Sequence, residues 1–392
     1  MLDASGFPSD SSADLSAEER ARYARHLTLP EVGLDGQRRL KGASVLCVGS
    51  GGLGSPLLLY LAAAGVGRLG IVDFDVVDHS NLQRQVIHGT AMVGRAKTSS
   101  ARSRIEDLNP HCHVEEHNVQ LTAVNALDLL ASYDLVCDGT DNFPSRYLIN
   151  DACTLLGTPF IYGSVQGFDG QVSVFNLTPT SPTYRDLVPE PPPPGLVPSC
   201  AQGGVLGVMP GLIGVLQATE AIKVITGIGQ PLDGRLLLVD GLALRFRELH
   251  LQRIPNRQEV TQLIDYEAFC GVSGAVPQEA IAMKSVNVLE LKQRLDSDEA
   301  AVLLDVRNPS EADVAVIPGA ELIPLATIES GEALERIRTL ASGGTTLYVH
   351  CKLGGRSAKA VALLAAHGVD AINVTGGIDS WSLQVDPTVP RY

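Results

Sequence analysis

Along the first third of the chain, short continuous apolar runs alternate with longer stretches of helical periodicity. Residues 43–49 (ASVLCVG) read as a buried strand, followed by a glycine-rich turn and an apolar helix from Ser55. Residues 68–73 (RLGIVD) give a second strand. Residues 96–108 are helical and stop at Asn109-Pro110, because proline disfavours helical backbone in the residue before it. A third strand is expected at 113–119, a helix at 121–132 and a fourth strand at 133–138. Ahead of them, Ser16 with Glu19 has capping-box spacing and starts a helix that runs through Arg22 and Arg25. Such strand–helix alternation predicts a doubly wound, largely parallel sheet, an α/β fold of Rossmann-like kind.

From about residue 159 the texture changes. Strands are expected at 160–163, 171–176, 235–240 and 243–251, which makes the sheet mixed, and a helix at 211–226. Residues 178–199 form a long loop stiffened by the prolines at 191–194. A second, smaller α/β unit has a helix at 288–295, strands at 301–305, 345–350 and 371–374, and a helix at 357–366. The expected organisation is a flexible 1–16, a first domain over 17–270, a linker over 271–284 and a second domain over 285–392. No internal repeat relates the two.

Composition narrows the class. A chain of 392 residues with 45% hydrophobic and 19% charged residues is globular and large enough for more than one core. A net charge of −14 opposes binding to nucleic acid. No apolar run is read as long enough to span a bilayer, so no membrane partner is expected. The cysteines are Cys47, Cys112, Cys137, Cys153, Cys200, Cys270 and Cys351, an odd number without a CxxC pair. That argues against a disulfide framework or a four-thiolate zinc site, and for a cytoplasmic protein with one or two working thiols. His111, His113 and His117 share a strand face, but a metal site there is the weaker reading.

Candidate chemistry begins with Gly49, Gly51, Gly52 and Gly54, a GxGxxG turn between strand and helix. Such a turn lets backbone approach phosphate at a helix N-terminus. Asp73 ends the next strand, where a carboxylate accepts ribose hydroxyls. These features alone fit NAD as well as ATP. Asn81, Arg84 and Lys97 follow, and Asp141-Asn142 stand after the fourth strand. A leaving pyrophosphate needs positive charge, and a carboxylate there suits Mg²⁺ between phosphates.

The stretch VGSGGLGSPLLLYLAAAGVGRLGIVDFDVVDHSNLQRQ, with Lys97 and GTDN at 139–142, resembles the ubiquitin-activating-like adenylating enzymes of molybdopterin and thiamine biosynthesis, over about residues 17–270. The resemblance implies that Gly52, Asp73, Asn81, Arg84, Lys97, Asp141 and Asn142 contact ATP·Mg²⁺. It implies that Arg25, in Arg22-Tyr23-Ala24-Arg25, reaches the partner's site in a homodimer. It matches Cys200, in Val197-Pro198-Ser199-Cys200, to a cysteine used in covalent chemistry with the activated carrier. Many relatives bind zinc through two CxxC pairs; here those stretches are Thr183–Asp186 and residues 256–258, without cysteine, so no zinc is expected.

Cys351 follows a strand and opens Cys351-Lys352-Leu353-Gly354-Gly355-Arg356-Ser357 before a helix. Curled backbone amides, the helix dipole and Arg356 are expected to favour an anionic persulfide on the sulfur. With Asp305-Val306-Arg307 and Gly376-Gly377, this resembles single-domain rhodanese modules over about 285–392; Val316 stands where relatives often have histidine. A chain carrying both resembles adenylyltransferase–sulfurtransferases of MoeZ type. The resemblance implies adenylation of a small ubiquitin-like sulfur carrier ending in Gly-Gly, then transfer of sulfur from Cys351. Thiosulfate or a cysteine desulfurase would be the donor. Two rival readings are adenylation with the second domain used only for docking, and an NAD-dependent oxidoreductase.

Overall fold

The computed structural model describes residues 14–192, 204–271, 284–297 and 300–391. The chain divides into two compact units, Met1–Ala275 and Val276–Tyr392.

In the first unit an eight-stranded sheet has the order β3-β2-β1-β4-β5-β6-β7-β8. Strands β1 (Ser44–Val48), β2 (Arg68–Val72), β3 (His113–His117), β4 (Leu135–Asp138) and β5 (Phe160–Gln166) pair in parallel. Strands β6 (Asp169–Phe175), β7 (Arg235–Asp240) and β8 (Arg245–His250) then add antiparallel. Runs such as SVLCV are apolar throughout because helices cover both faces of the parallel half. On one face Leu57, Leu58 and Leu61 of the helix Gly54–Ala64 meet Ile213, Ala221 and Val224 of the helix Val208–Thr226. On the other, Tyr147, Ile149 and Ala152 of the helix Phe143–Leu156 pack with Phe160, Phe175 and Tyr184.

Several expectations shift. The opening helix has its capping box, Ser16 Oγ accepting from Glu19 N at 3.1 Å, but it ends at Arg22. Tyr23 leaves helical geometry (φ −94°, ψ 14°) and turns its buried ring against Gly65, and a second short helix covers Ala24–Leu27. The helix expected over 121–132 is confined to Ala126–Leu130. The helix Phe143–Leu156 and the short helix Tyr184–Leu187 inside the expected 178–199 loop are additional. Val208–Thr226 starts earlier than expected and, contrary to the sequence reading, is long and apolar enough to cross a membrane. Its inward polar groups account for it as a core helix: Gln217 Nε2 donates to the Asp138 carbonyl (2.7 Å), and Glu220 Oε2 accepts from Leu232 N (2.8 Å). His117 Nε2 lies 2.8 Å from the Tyr133 hydroxyl, while His113 is exposed.

The second unit is a parallel sheet of order β11-β10-β12-β13-β9, from β9 (Ser285–Val286), β10 (Ala301–Asp305), β11 (Glu321–Leu322), β12 (Thr346–His350) and β13 (Ile372–Val374). A buried polar group sits at the carboxyl ends of its central strands. Asp305 takes Arg307 Nε at 2.8 and 3.0 Å, and the Arg307 Nη2 also donates to the Ala315 carbonyl at 2.7 Å. His350, fully buried beside them, has Nε2 3.8 Å from Asp305.

Two segments far apart in the first unit are clasped by charge. Asp186 Oδ1 accepts from Ile254 N and from Arg257 Nε, each at 2.9 Å, and its side chain is fully enclosed. Burial disfavours the carboxylate, but the amides of Ile254 and Thr183, with Arg257, hold its pKa below the ordinary value. Asp186→Ala leaves Arg257 without its carboxylate, a loss of about 3 kcal/mol. Calorimetry is expected to show the first unit melting roughly ten degrees lower. Trp381, the only tryptophan and buried in the second unit, should report an unchanged transition there.

Burial pushes His350 below the ordinary histidine pKa of 6.5, outweighing the pull of Asp305. The folded unit therefore keeps the ring neutral where the unfolded chain is protonated. Below about pH 6.5 the unfolded state binds more protons, so stability is lost as pH falls, by at most about 1.4 kcal/mol per pH unit from this group. Urea unfolding followed by Trp381 fluorescence at several pH values should show the decline, and His350→Gln should flatten it. An equal slope in the variant refutes the assignment.

Candidate active sites

At the end of β1 the chain turns through Gly49 (φ +93°) into the helix Gly54–Ala64. A Cβ on Gly49 would lie 2.8 Å from the Gly139 carbonyl oxygen, and one on Gly54 only 2.0 Å from the Gly49 carbonyl oxygen. Side chains are excluded here by backbone on two sides. Gly52 faces Pro210 and the stem of Arg84, and Gly51 lies beside Gln85. The turn thus delivers backbone amides and a helix N-terminus to one mouth, as phosphate binding requires.

Asp73 follows β2. Its Oδ2 accepts from Ser50 N and Ser50 Oγ, both at 2.9 Å, and its Oδ1 from Asp75 N at 3.0 Å. The carboxylate therefore braces the glycine turn and retains lone pairs for a hydroxyl. Asn81 closes a short 3-10 turn, its Oδ1 accepting from Asp78 N at 3.3 Å. Arg84 donates to the Ser80 carbonyl at 3.0 Å with its stem against the turn. Lys97 begins the helix Lys97–Leu108, buried, with Nζ 2.8 Å from Asp75 Oδ2.

On the other side of β1, Asp138 ends β4 and is fully buried. Its Oδ2 pairs with Arg146 Nε at 2.9 Å, and its Oδ1 accepts from Thr140 N at 2.8 Å. This fixes the loop that presents Asp141, which is exposed and makes no hydrogen bond among the described residues. Asn142 has a structural task as well: its Oδ1 caps the helix Phe143–Leu156 by accepting from Ser145 N at 2.9 Å. Arg25 is exposed on the short helix Ala24–Leu27. Cys200 lies outside the described residues. The sequence reading leaves out Ser50, Asp75 and His88. A serine between glycines, a second acid and a lone histidine carry no spacing signal of their own.

In the second unit Cys351 directly follows β12 and is buried. Its Sγ accepts from Gly354 N at 3.1 Å and lies 3.5 Å from Ser357 Oγ. Gly354 (φ +106°) turns the chain into the helix Gly355–Ala366. Gly376 and Gly377 pack beneath: a Cβ on Gly377 would lie 2.3 Å from the Cys351 carbonyl oxygen, and Ile378 N donates to that oxygen at 3.0 Å. One backbone amide and one hydroxyl therefore reach the sulfur, at the N-terminus of the helix that follows. The Arg356 guanidinium forms a two-point pair with Glu311, Nη1–Oε2 2.6 Å and Nη2–Oε1 2.7 Å. Val316 is exposed, next to Ala315, whose carbonyl accepts from Arg307.

The ThiF family model matches residues 23–261 and the rhodanese-like domain model residues 287–384. The chain is 50% identical over 382 residues to a probable adenylyltransferase/sulfurtransferase MoeZ of Mycobacterium tuberculosis, with 96% of each chain covered. It is 44% identical over 411 residues to the adenylyltransferase and sulfurtransferase MOCS3 of Sus scrofa, covering 98% of this chain and 90% of that one. Among solved structures, MccB of E. coli with ATP aligns with a TM-score of 0.54 at 19% identity, over 65% of this chain and 77% of that one, a likeness of fold. The chain belongs to the ThiF family, in the form that carries a rhodanese-like domain, and is an adenylyltransferase and sulfurtransferase.

Proposed function

We propose that the enzyme adenylates the C-terminal carboxylate of a small ubiquitin-like sulfur carrier ending in Gly-Gly and then converts it to a thiocarboxylate. The observation that carries this reading is one chain that holds both a glycine turn closed by backbone at the end of β1 and a cysteine, Cys351, whose sulfur accepts from the Gly354 amide. The glycine turn and the helix N-terminus hold phosphates. Asp73 takes the ribose, and Arg84, Asn81 and Lys97 stabilise the pyrophosphate as it leaves. The carrier carboxylate attacks the α-phosphorus; the bond to pyrophosphate breaks and an acyl-adenylate forms.

Asp141, exposed with a carboxylate uncommitted among the described residues, suits Mg²⁺, which takes one or two carboxylates plus phosphate oxygens. When bound, that ion would neutralise phosphate charge. No zinc belongs to this reading, since Thr183–Asp186 and residues 256–258 lack cysteine and Asp186–Arg257 joins those stretches instead. Arg25 serves the partner's nucleotide site in a homodimer, and the enzyme works in the cytoplasm.

A donor such as thiosulfate or a cysteine desulfurase loads Cys351 as a persulfide. Its terminal sulfur attacks the acyl carbon and AMP leaves, giving an acyl disulfide on Cys351. A second thiol, for which Cys200 is the candidate, attacks the Cys351 sulfur. The carrier departs as thiocarboxylate while the two cysteines form a disulfide, which an external thiol reduces.

Incubation with candidate carriers, ATP, Mg²⁺ and thiosulfate, followed by mass spectrometry of the carrier, tests the scheme. Cys351→Ala is expected to keep ATP–pyrophosphate exchange and lose the thiocarboxylate. Full thiocarboxylation by that variant defeats the reading. Arg84→Ala is expected to lower pyrophosphate exchange by about a hundredfold or more and leave thiosulfate:cyanide sulfurtransfer intact. Wild-type exchange in that variant removes Arg84 from the site.

A further inference from the structure

We propose that His88 is a positioning residue of the nucleotide site, aiming the Gly51 amide at phosphate. The proposal rests on the glycine turn being the ATP site. His88 is 7% exposed, and both ring nitrogens are engaged. Nε2 is 3.0 Å from the Ser50 carbonyl oxygen and Nδ1 is 3.0 Å from Ser100 Oγ. A carbonyl cannot donate, so Nε2 carries the proton, and in the neutral ring Nδ1 accepts from the Ser100 hydroxyl.

Those two bonds join three elements that each bear a proposed ATP ligand. Ser50 lies inside the glycine turn. His88 ends the run of turns that begins at Asn81 and includes Arg84, through Gln85 N to the Asn81 carbonyl (2.9 Å) and His88 N to the Gln85 carbonyl (3.1 Å). Ser100 sits in the first turn of the helix opened by Lys97, its N–H bonded to the Ala96 carbonyl at 3.1 Å. One imidazole therefore sets the spacing of the turn, the arginine loop and the lysine helix.

The consequence for the turn follows from peptide planarity. Ser50 is gripped on both sides: its N–H and Oγ donate to Asp73, and its carbonyl accepts from His88 at 3.0 Å and, at a longer 3.4 Å, from Ser55 Oγ. In a trans peptide the carbonyl and the next N–H point in opposite directions. Holding the Ser50 carbonyl toward His88 turns the Gly51 N–H the other way. That N–H makes no hydrogen bond among the described residues, so it is available to an anion. An apolar side chain of equal size would fill the space but leave the carbonyl only the longer bond from Ser55 Oγ, a weaker hold on the peptide.

The test uses full-length protein and calorimetric titration with ATP and, separately, with adenosine. Glutamine places its amide NH₂ where Nε2 stands and keeps the bond to Ser50; asparagine reaches only as far as Nδ1 and loses it. His88→Asn is expected to weaken ATP binding about tenfold and His88→Gln to recover most of that loss, with adenosine binding equal in all three proteins. Ser100→Ala, which keeps the ring but unlatches Nδ1, is expected to weaken ATP about threefold while adenosine binding stays as in the wild type. The proposal is overturned if Asn and Gln behave alike, if adenosine binding falls in step with ATP binding, or if Ser100→Ala binds ATP as the wild type does. Lys97→Ala separates the two levels. If that variant binds ATP with wild-type affinity, it is the placement of ATP at this turn that fails.

Discussion

Backbone must touch backbone where β1 ends. Gly49, Gly54 and Gly139 approach so closely that a methyl group at any of them would overlap a carbonyl. The sheet order explains why the contact lies there. β1 is flanked by β2 on one side and β4 on the other, so the connections leaving β1 and β4 diverge and open a crevice between them. Asp73 enters this crevice from the β2 side and the Asp138-pinned loop from the β4 side. A side chain at Gly49 or Gly139 would part those two walls, and every polar contact described around the turn would lose its register. The charged residues contribute affinity and chemistry, but the glycines set the distances over which those residues act.

The second unit meets a similar backbone requirement. There too a strand ends, a left-handed glycine turns the chain and a helix begins, and there too glycine is needed below, at Gly377 under the Cys351 carbonyl. Around the nucleotide turn, cations stand close to the backbone, Arg84 by its stem and Lys97 through Asp75. Around Cys351 the sulfur accepts from Gly354 N and lies near Ser357 Oγ, and Arg356 is paired with Glu311 much as Lys97 is with Asp75. Dipoles held in place by the backbone suit an anion in both units.

Much of this was legible in the sequence because it depends on local pattern. Apolar runs located the strands of the parallel half, and the helix at Val288–Leu295 and the strand at Ala301–Asp305 have the bounds read from periodicity. The turn glycines and Cys351 stand out by spacing. What was hidden is what tertiary contact decides. The break at Tyr23 arises from its ring seating against Gly65, forty-two residues on, and no local rule announces it. The length and apolarity of Val208–Thr226 do not reveal that Gln217 and Glu220 are bonded inside the core. The pairing of Arg356 with Glu311 is not announced by the sequence because the two are distant in it. Asn142 looked like a ligand and is also a helix cap, and the sequence does not separate the two because capping and liganding use the same amide.

Joining the two units on one chain has a kinetic rationale. An acyl-adenylate is an activated acyl group in water, so its useful fate depends on the sulfur nucleophile arriving before hydrolysis. A separate sulfurtransferase must diffuse to it at its own concentration. A persulfide on the same polypeptide meets it at an effective concentration set by the length of chain that joins them rather than by the concentration of a separate protein. Covalent attachment therefore favours sulfur transfer over loss to water. It also leaves each site free to keep the environment its own reagent needs.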